Sequence, residues 1–136
     1  MSRYAARTKV PISNSRNELE RTLTRYGATG FAYGSQIVGP HSKLKVSVGF
    51  QAHKRTLRIT MLMEGNDTDR QRWRALLLVV KAKLEAVESG ITTFDDEFMP
   101  WVVLPSGETL AEWARPQLER LIAGGKMPPL LPGPRE

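Results

Sequence analysis

Leu44-Lys45-Val46-Ser47-Val48-Gly49-Phe50, followed by Thr56-Leu57-Arg58-Ile59-Thr60-Met61-Leu62-Met63, decides how this chain folds. In the first run Leu44, Val46, Val48 and Phe50 alternate with Lys45, Ser47 and Gly49. In the second, Leu57, Ile59, Met61 and Met63 alternate with Thr56, Arg58 and Thr60. Successive side chains of a strand point to opposite faces, so this alternation predicts two half-buried strands with one face in the core. The link at Gln51–Lys54 is short enough for a hairpin. Working back along the chain, Phe31, Tyr33 and Ile37 share one parity of a third run that ends near Gly39-Pro40.

Helical signals flank the strands. Before them, Ser15-Arg16-Asn17-Glu18 has the spacing of a capping box. Leu19, Leu23 and Tyr26 follow at helical intervals up to Gly27, which predicts a helix over about 16–26. After them, Trp73, Leu76, Leu77, Val80, Leu84 and Val87 form the stripe of a long amphipathic helix over about 68–89, ended by Gly90. Thr93 opens a shorter element carrying Phe94, Phe98, Trp101 and Val102, with Pro100 predicting a kink or an early end. Thr109 and Glu112 make a second capping box. It opens a helix expected to turn Leu110, Trp113, Leu118, Leu121 and Ile122 inward, with Pro116 inside it. Gly124-Gly125 stops that helix, and the proline-rich stretch 127–136 is expected to run extended. The expected fold is one α+β domain over 1–136. It has an N-terminal helix, a three-stranded antiparallel sheet, a long central helix and two shorter C-terminal helices packed on one sheet face.

Composition agrees with a single folded unit. At 136 residues the chain has the size of one domain, and 40% apolar with 25% charged residues is the balance of a globular protein. There is no cysteine, which excludes a disulfide scaffold, a cysteine nucleophile and a thiolate zinc site. Arg3, Arg7 and Lys9 are not followed by an apolar run of signal-peptide length. The longest apolar stretch, Ala75 to Val80, is far below the roughly 20 residues of a membrane span. A cytoplasmic protein without membrane contact is the expectation.

Charge is the strongest functional signal. Met1 to Met63 holds eleven Lys or Arg against two acids, Glu18 and Glu20, a net +9. Glu64 to Glu136 holds nine against twelve, a net −3. Such asymmetry points to a basic surface that meets an acidic partner. On the hairpin, Lys43, Lys45 and Arg58 occupy the polar parity and Lys54 and Arg55 the turn, so one exposed face would carry them. That face suits contact with a nucleic-acid backbone better than base reading, because its strands put no aromatic outward. Arg70 and Arg74, four apart near the start of the central helix, extend the candidate surface. Basic residues on strands also guard a sheet against edge-to-edge aggregation, which is the alternative reason for them.

Catalysis has less support. His41 and His53 have no partner motif and read as solvated turn residues. Asp95, Asp96 and Glu97 are consecutive on a helix and diverge, so charge favourable to a helix start explains them better than Mg²⁺. Gly27-Ala28-Thr29-Gly30 precedes a strand, whereas a phosphate cradle follows one. Neither an enzyme, a metal nor a cofactor is expected.

One resemblance bears on context. Arg72-Trp73-Arg74-Ala75-Leu76, the run Lys81 to Gly90, Thr93-Phe94, Glu97-Phe98, Val103-Leu104-Pro105, Glu112-Trp113 and Met127-Pro128 before Leu130-Leu131-Pro132 carry it, together with Ser2-Arg3-Tyr4-Ala5. On these the chain resembles a family of small uncharacterised proteins of tailed bacteriophages and prophages, from which it departs in the short connection Met63 to Arg70 and in Pro100. The resemblance implies a non-enzymatic accessory protein. Its expected partner is nucleic acid, single-stranded or within a nucleoprotein complex. The alternatives are an anti-CRISPR-like inhibitor that binds a host defence complex and a structural protein that pairs with a second copy of itself as a homodimer.

Overall fold

The computed structural model describes residues 12–40 and 43–133. Helix α1 (Ile12–Arg25) leads into strands β1 (Thr29–Val38), β2 (Lys43–Ala52) and β3 (Arg55–Met63). Helices α2 (Thr68–Glu88) and α3 (Phe94–Phe98), a 3-10 turn (Met99–Trp101) and α4 (Leu110–Ala123) follow. This is the α+β order that the alternation and the helical stripes predict. Among the described residues no helix is long and apolar enough to cross a membrane.

The sheet is an antiparallel meander in the order β1-β2-β3. Its β2–β3 register pairs Val48 with Ile59, Phe50 with Leu57 and Ala52 with Arg55. Only His53 and Lys54 remain for the turn, and both have positive φ, 51° and 63°. A two-residue turn with both residues left-handed matches the twist of the strands it joins. Asn-Gly is the usual solution there, and His-Lys is a costlier one. His53 gains a partner in return: its ring stacks on Phe94 at 4.1 Å between centroids. His53 is an exposed turn residue, as expected, and its stacking on Phe94 is a contact the sequence did not show; His41 lies outside the described residues.

One face of the sheet makes the core. Val48, Phe50 and Ala52 from β2 and Leu57, Ile59 and Met63 from β3 are buried. They pack with Leu19 and Leu23 of α1, with Trp73, Leu76, Leu77, Val80 and Leu84 of α2, and with Phe94 and Phe98 of α3. The chain after the 3-10 turn returns to the sheet: Val102 bridges Leu57, and Val103 N–H donates to Thr56 O at 2.8 Å. Part of the β3 edge is thereby covered.

Two local readings need correction. Ser15 does not cap α1. It lies inside the helix, fully buried, and its Oγ has no hydrogen-bond partner among the described residues, while Glu18 is drawn away to Arg74 and Lys81. A serine and a glutamate three apart supply the spacing, but α1 already runs from Ile12. At α4 the capping box of Thr109 and Glu112 is formed in both directions. Its apolar residues do not turn inward, however: α4 has no buried residue, and Trp113, Leu118, Leu121 and Ile122 are exposed.

The two roles of Ser15 predict opposite results for S15A in chemical denaturation. A buried hydroxyl without a partner costs about 1–3 kcal/mol, so the alanine variant should be more stable by about 1 kcal/mol. A loss of about 1 kcal/mol would instead restore the capping role.

Candidate nucleic-acid interface

The face of the sheet away from the helices is built from the other parity. Strand pairing aligns Gly34, Ser47 and Thr60 in one row and Ala32, Gly49 and Arg58 in the next. Ser47 and Thr60 share a hydrogen bond of 3.2 Å across the strands. A Cβ added at Gly34 would meet nothing within 4 Å, and one at Gly49 only ordinary contacts. Space therefore does not demand glycine there. The small side chains leave a flat, open surface that lets a partner approach the backbone, bordered by Gln36 and Lys45 on one side and Arg58 on another.

The seven candidate cations fall in three places. Lys43, Lys45 and Arg58 share the outer face, as expected from parity. Lys54 and Arg55 sit at the hairpin end, where Gln51, His53 and Thr56 join them around an open cleft of about 470 Å³. Arg70 and Arg74 belong to the helical layer on the opposite side of the sheet, so the structure does not bring them to the same surface.

Most of these charges already have partners. Lys43 pairs with Glu64 at 2.7 Å, Arg70 with Asp67 at 2.6 Å and Arg74 with Glu18 at 3.1 Å. Arg55 holds Asp95 through both Nε and Nη2, at 3.3 and 3.1 Å. Arg58 reaches from the sheet to the start of α4, where one Nη2 donates to Gly107 O at 2.8 Å and to Glu112 Oε1 at 3.0 Å. Lys45 and Lys54 make no ion pair among the described residues. The acids Asp95, Asp96 and Glu97 diverge as expected. Asp95 goes to Arg55 and Glu97 to Lys83, while the Asp96 backbone is capped by Thr93.

A groove of about 320 Å³ lies between the outer side of β3 and the first turns of α4. Lys45, Arg58, Thr60, Trp101, Glu112 and Arg115 line it. Three cations thus face one carboxylate, and that carboxylate is occupied. Glu112 accepts from Thr109 N–H at 2.8 Å as part of the capping box, and from Arg58. The groove keeps net positive charge. Two of its residues were not legible as site residues in the sequence. Arg115 lies 57 positions from Arg58 in the chain, and it is one of several helical arginines until α4 is placed beside the sheet. Trp101 is half-buried, with its ring 5.5 Å from that of Phe98 between centroids. Yet it brings to the groove an aromatic that the strands do not supply.

Comparison with protein-family models, with curated proteins and with solved structures finds no match.

Glu112 links this groove to stability. Hydrogen bonds from Thr109, the backbone N–H foremost, and then Arg58 lower its carboxyl to about 2. A carboxylate with a depressed folded pKa stabilises the fold above its unfolded pKa, and that contribution disappears as pH falls toward the folded value. Wild-type stability should therefore drop between about pH 4.5 and 2. Part of that slope belongs to Glu18 and Glu64, lowered chiefly by Lys81 and by Lys43 respectively. In E112Q the slope should be shallower and stability at neutral pH lower, as read by denaturant titration at several pH values. An unchanged slope would show that Glu112 is not held this way.

Proposed function

We propose that the chain is a non-enzymatic accessory protein that binds nucleic acid along the outer face of its sheet, with the groove between β3 and α4 as the centre of contact. The observation that carries this reading is the convergence of Lys45, Arg58 and Arg115 around a groove whose one carboxylate is already engaged. Phosphates would meet Lys45 and Arg115, while the Thr60 hydroxyl adds a neutral donor. Trp101 at the groove wall offers a face for a base, which favours single strands, whose bases are free to stack. Lys54 and Arg55 at the hairpin end form a second phosphate contact, and Lys43 a third. Arg70 and Arg74 would act only on a ligand that wraps around to the helical layer. The phage context rests on the sequence resemblance alone.

A second reading is supported by the ion pairs. Five of the seven candidate cations are held by the chain's own acids, and a surface so balanced also suits a protein partner. In that reading the chain inhibits a host defence complex by occupying it. Its sign is co-purification with that complex after ribonuclease and deoxyribonuclease treatment.

Fluorescence anisotropy with labelled single- and double-stranded oligonucleotides at about 50 and 200 mM salt tests the first reading. Wild-type protein should bind single strands more tightly and lose affinity steeply with salt. The variant to compare is K45E/R115E. Neither residue has an ion pair among the described residues, so the double reversal should leave the thermal midpoint unchanged while weakening binding by about ten-fold or more. Arg58 is a poor choice for reversal, because its loss would also release the start of α4. Unchanged affinity in K45E/R115E, or no binding by wild type at low salt, would overturn the assignment.

A further inference from the structure

The C-terminal part of the chain exposes more apolar surface than a solitary domain of this size has reason to. Trp113, Leu118, Leu121 and Ile122 of α4 are 47%, 56%, 76% and 62% exposed. Met127, Leu130 and Leu131 beyond it are 87%, 102% and 79% exposed. The stripe is organised. Leu110, Ala114, Leu118 and Leu121 recur at intervals of three and four along one side of α4, with Trp113 and Ile122 at its margins. The sequence pattern is that of a helix with something to bury, and among the described residues nothing buries it.

Beside the stripe lies a receptor for an apolar segment. Met99 and Pro100 of the 3-10 turn and Leu110, Ala111, Ala114 and Leu118 of α4 line a predominantly apolar groove of about 400 Å³. The segment that follows α4 is a matching ligand. Met127-Pro128-Pro129-Leu130-Leu131-Pro132 presents three apolar side chains on a backbone with three prolines. It lacks regular secondary structure and leaves those side chains in solvent instead of in the adjacent groove. Proline-rich extended segments dock into apolar grooves at low entropic cost, because their conformation is largely fixed beforehand.

We infer that two copies of this chain pair through α4 and its tail, the Met127–Pro132 segment of each seated in the α4 groove of the other. The area is sufficient. At roughly 100–200 Å² for each large apolar side chain, the seven exposed residues offer on the order of 800 Å² per copy. Covering both sets would bury about 1,600 Å², the size of a stable protein–protein interface. The contact is reciprocal, since each copy carries both groove and tail, and it closes at two copies about a two-fold axis. The first turn of α4 is also the wall of the basic groove. Pairing would therefore set two copies of that groove in fixed relation, which lets one nucleic-acid strand engage both. The pairing itself does not rest on nucleic-acid binding.

Sedimentation velocity between about 1 and 200 μM tests it. Wild-type protein should move from monomer to dimer with concentration and stop there. L121E/I122E and, separately, L130D/L131D should remain monomeric throughout. These residues are mostly exposed in the monomer, so circular dichroism and the thermal midpoint at low concentration should stay close to wild type. A control on the free sheet edge, I37K, alters a residue 69% exposed on β1 and should leave the dimer intact. Three results would overturn the inference: a wild-type monomer at every concentration, as expected if the tail folds onto its own groove or awaits another protein, a dimer indifferent to both α4 and tail variants, or one lost in I37K. Nucleic-acid affinity is measured separately at low protein concentration, so failure of the one reading is distinguishable from failure of the other.

Discussion

Ala52 and Arg55 face each other across a two-residue turn, and the remainder of the molecule depends on that register. A slip of one residue would exchange the two faces of β3. Leu57, Ile59 and Met63 would then face solvent, and Arg58 would face the core. The turn holds this register with His53 and Lys54 in a conformation that glycine adopts more readily. Stacking of His53 on Phe94, and the double hydrogen bond from Arg55 to Asp95, tie the same end of the hairpin to α3. Register, turn and α3 therefore support one another. The aromatic series continues from Phe94 to Phe98 at 4.6 Å and on to Trp101, which carries the tie from the hairpin end toward the groove.

Local periodicity made much of this legible. Strict alternation in β2 and β3 identifies the buried face residue by residue, because one side of an antiparallel sheet is dry and the other wet. The α2 stripe is equally readable: every residue expected inward from Trp73 to Leu84 is buried. Pro100 ends α3 early by passing the chain into a 3-10 turn. Where reading failed, the signal was local but the cause was not. Ser15 and Glu18 have capping spacing, yet Glu18 binds residues 56 and 63 positions away. Nothing within four residues reveals that competition. Similarly, the α4 stripe reports that a face is apolar and not what covers it. Its hydrophobic spacing would be identical for a core helix and for an interface helix.

The candidate site was legible in half of its content. Parity correctly assigns Lys43, Lys45 and Arg58 to one face, since β-structure has a period of two. It cannot report that Arg58 crosses to Gly107 and Glu112, because that contact spans 49 and 54 positions. Nor can it bring Arg115 and Trp101 to the same groove. The helical pair Arg70 and Arg74 shows the complementary weakness. Residues four apart share a helix face, but which layer of the domain that face joins is a tertiary fact, and Arg74 turns to α1.

Internal pairing does not remove all of these cations from a partner's reach, because the pairs differ in what holds them. Arg55 and Asp95 are about half exposed, 45% and 51% by side chain, and an exposed pair of this kind is worth about 0–1 kcal/mol. A phosphate with two strong acceptor oxygens can replace Asp95 at little cost, and Lys43 can exchange Glu64 for one on similar terms. Arg58 cannot do so as freely, since its carboxylate partner is fixed by the α4 cap and its second bond goes to a backbone carbonyl. The groove is thus graded. Lys45 and Arg115 are available at once, Lys43 and Arg55 by exchange, and Arg58 contributes its field from a fixed position. These pairs offset part of the N-terminal half's positive excess with acids of the C-terminal half.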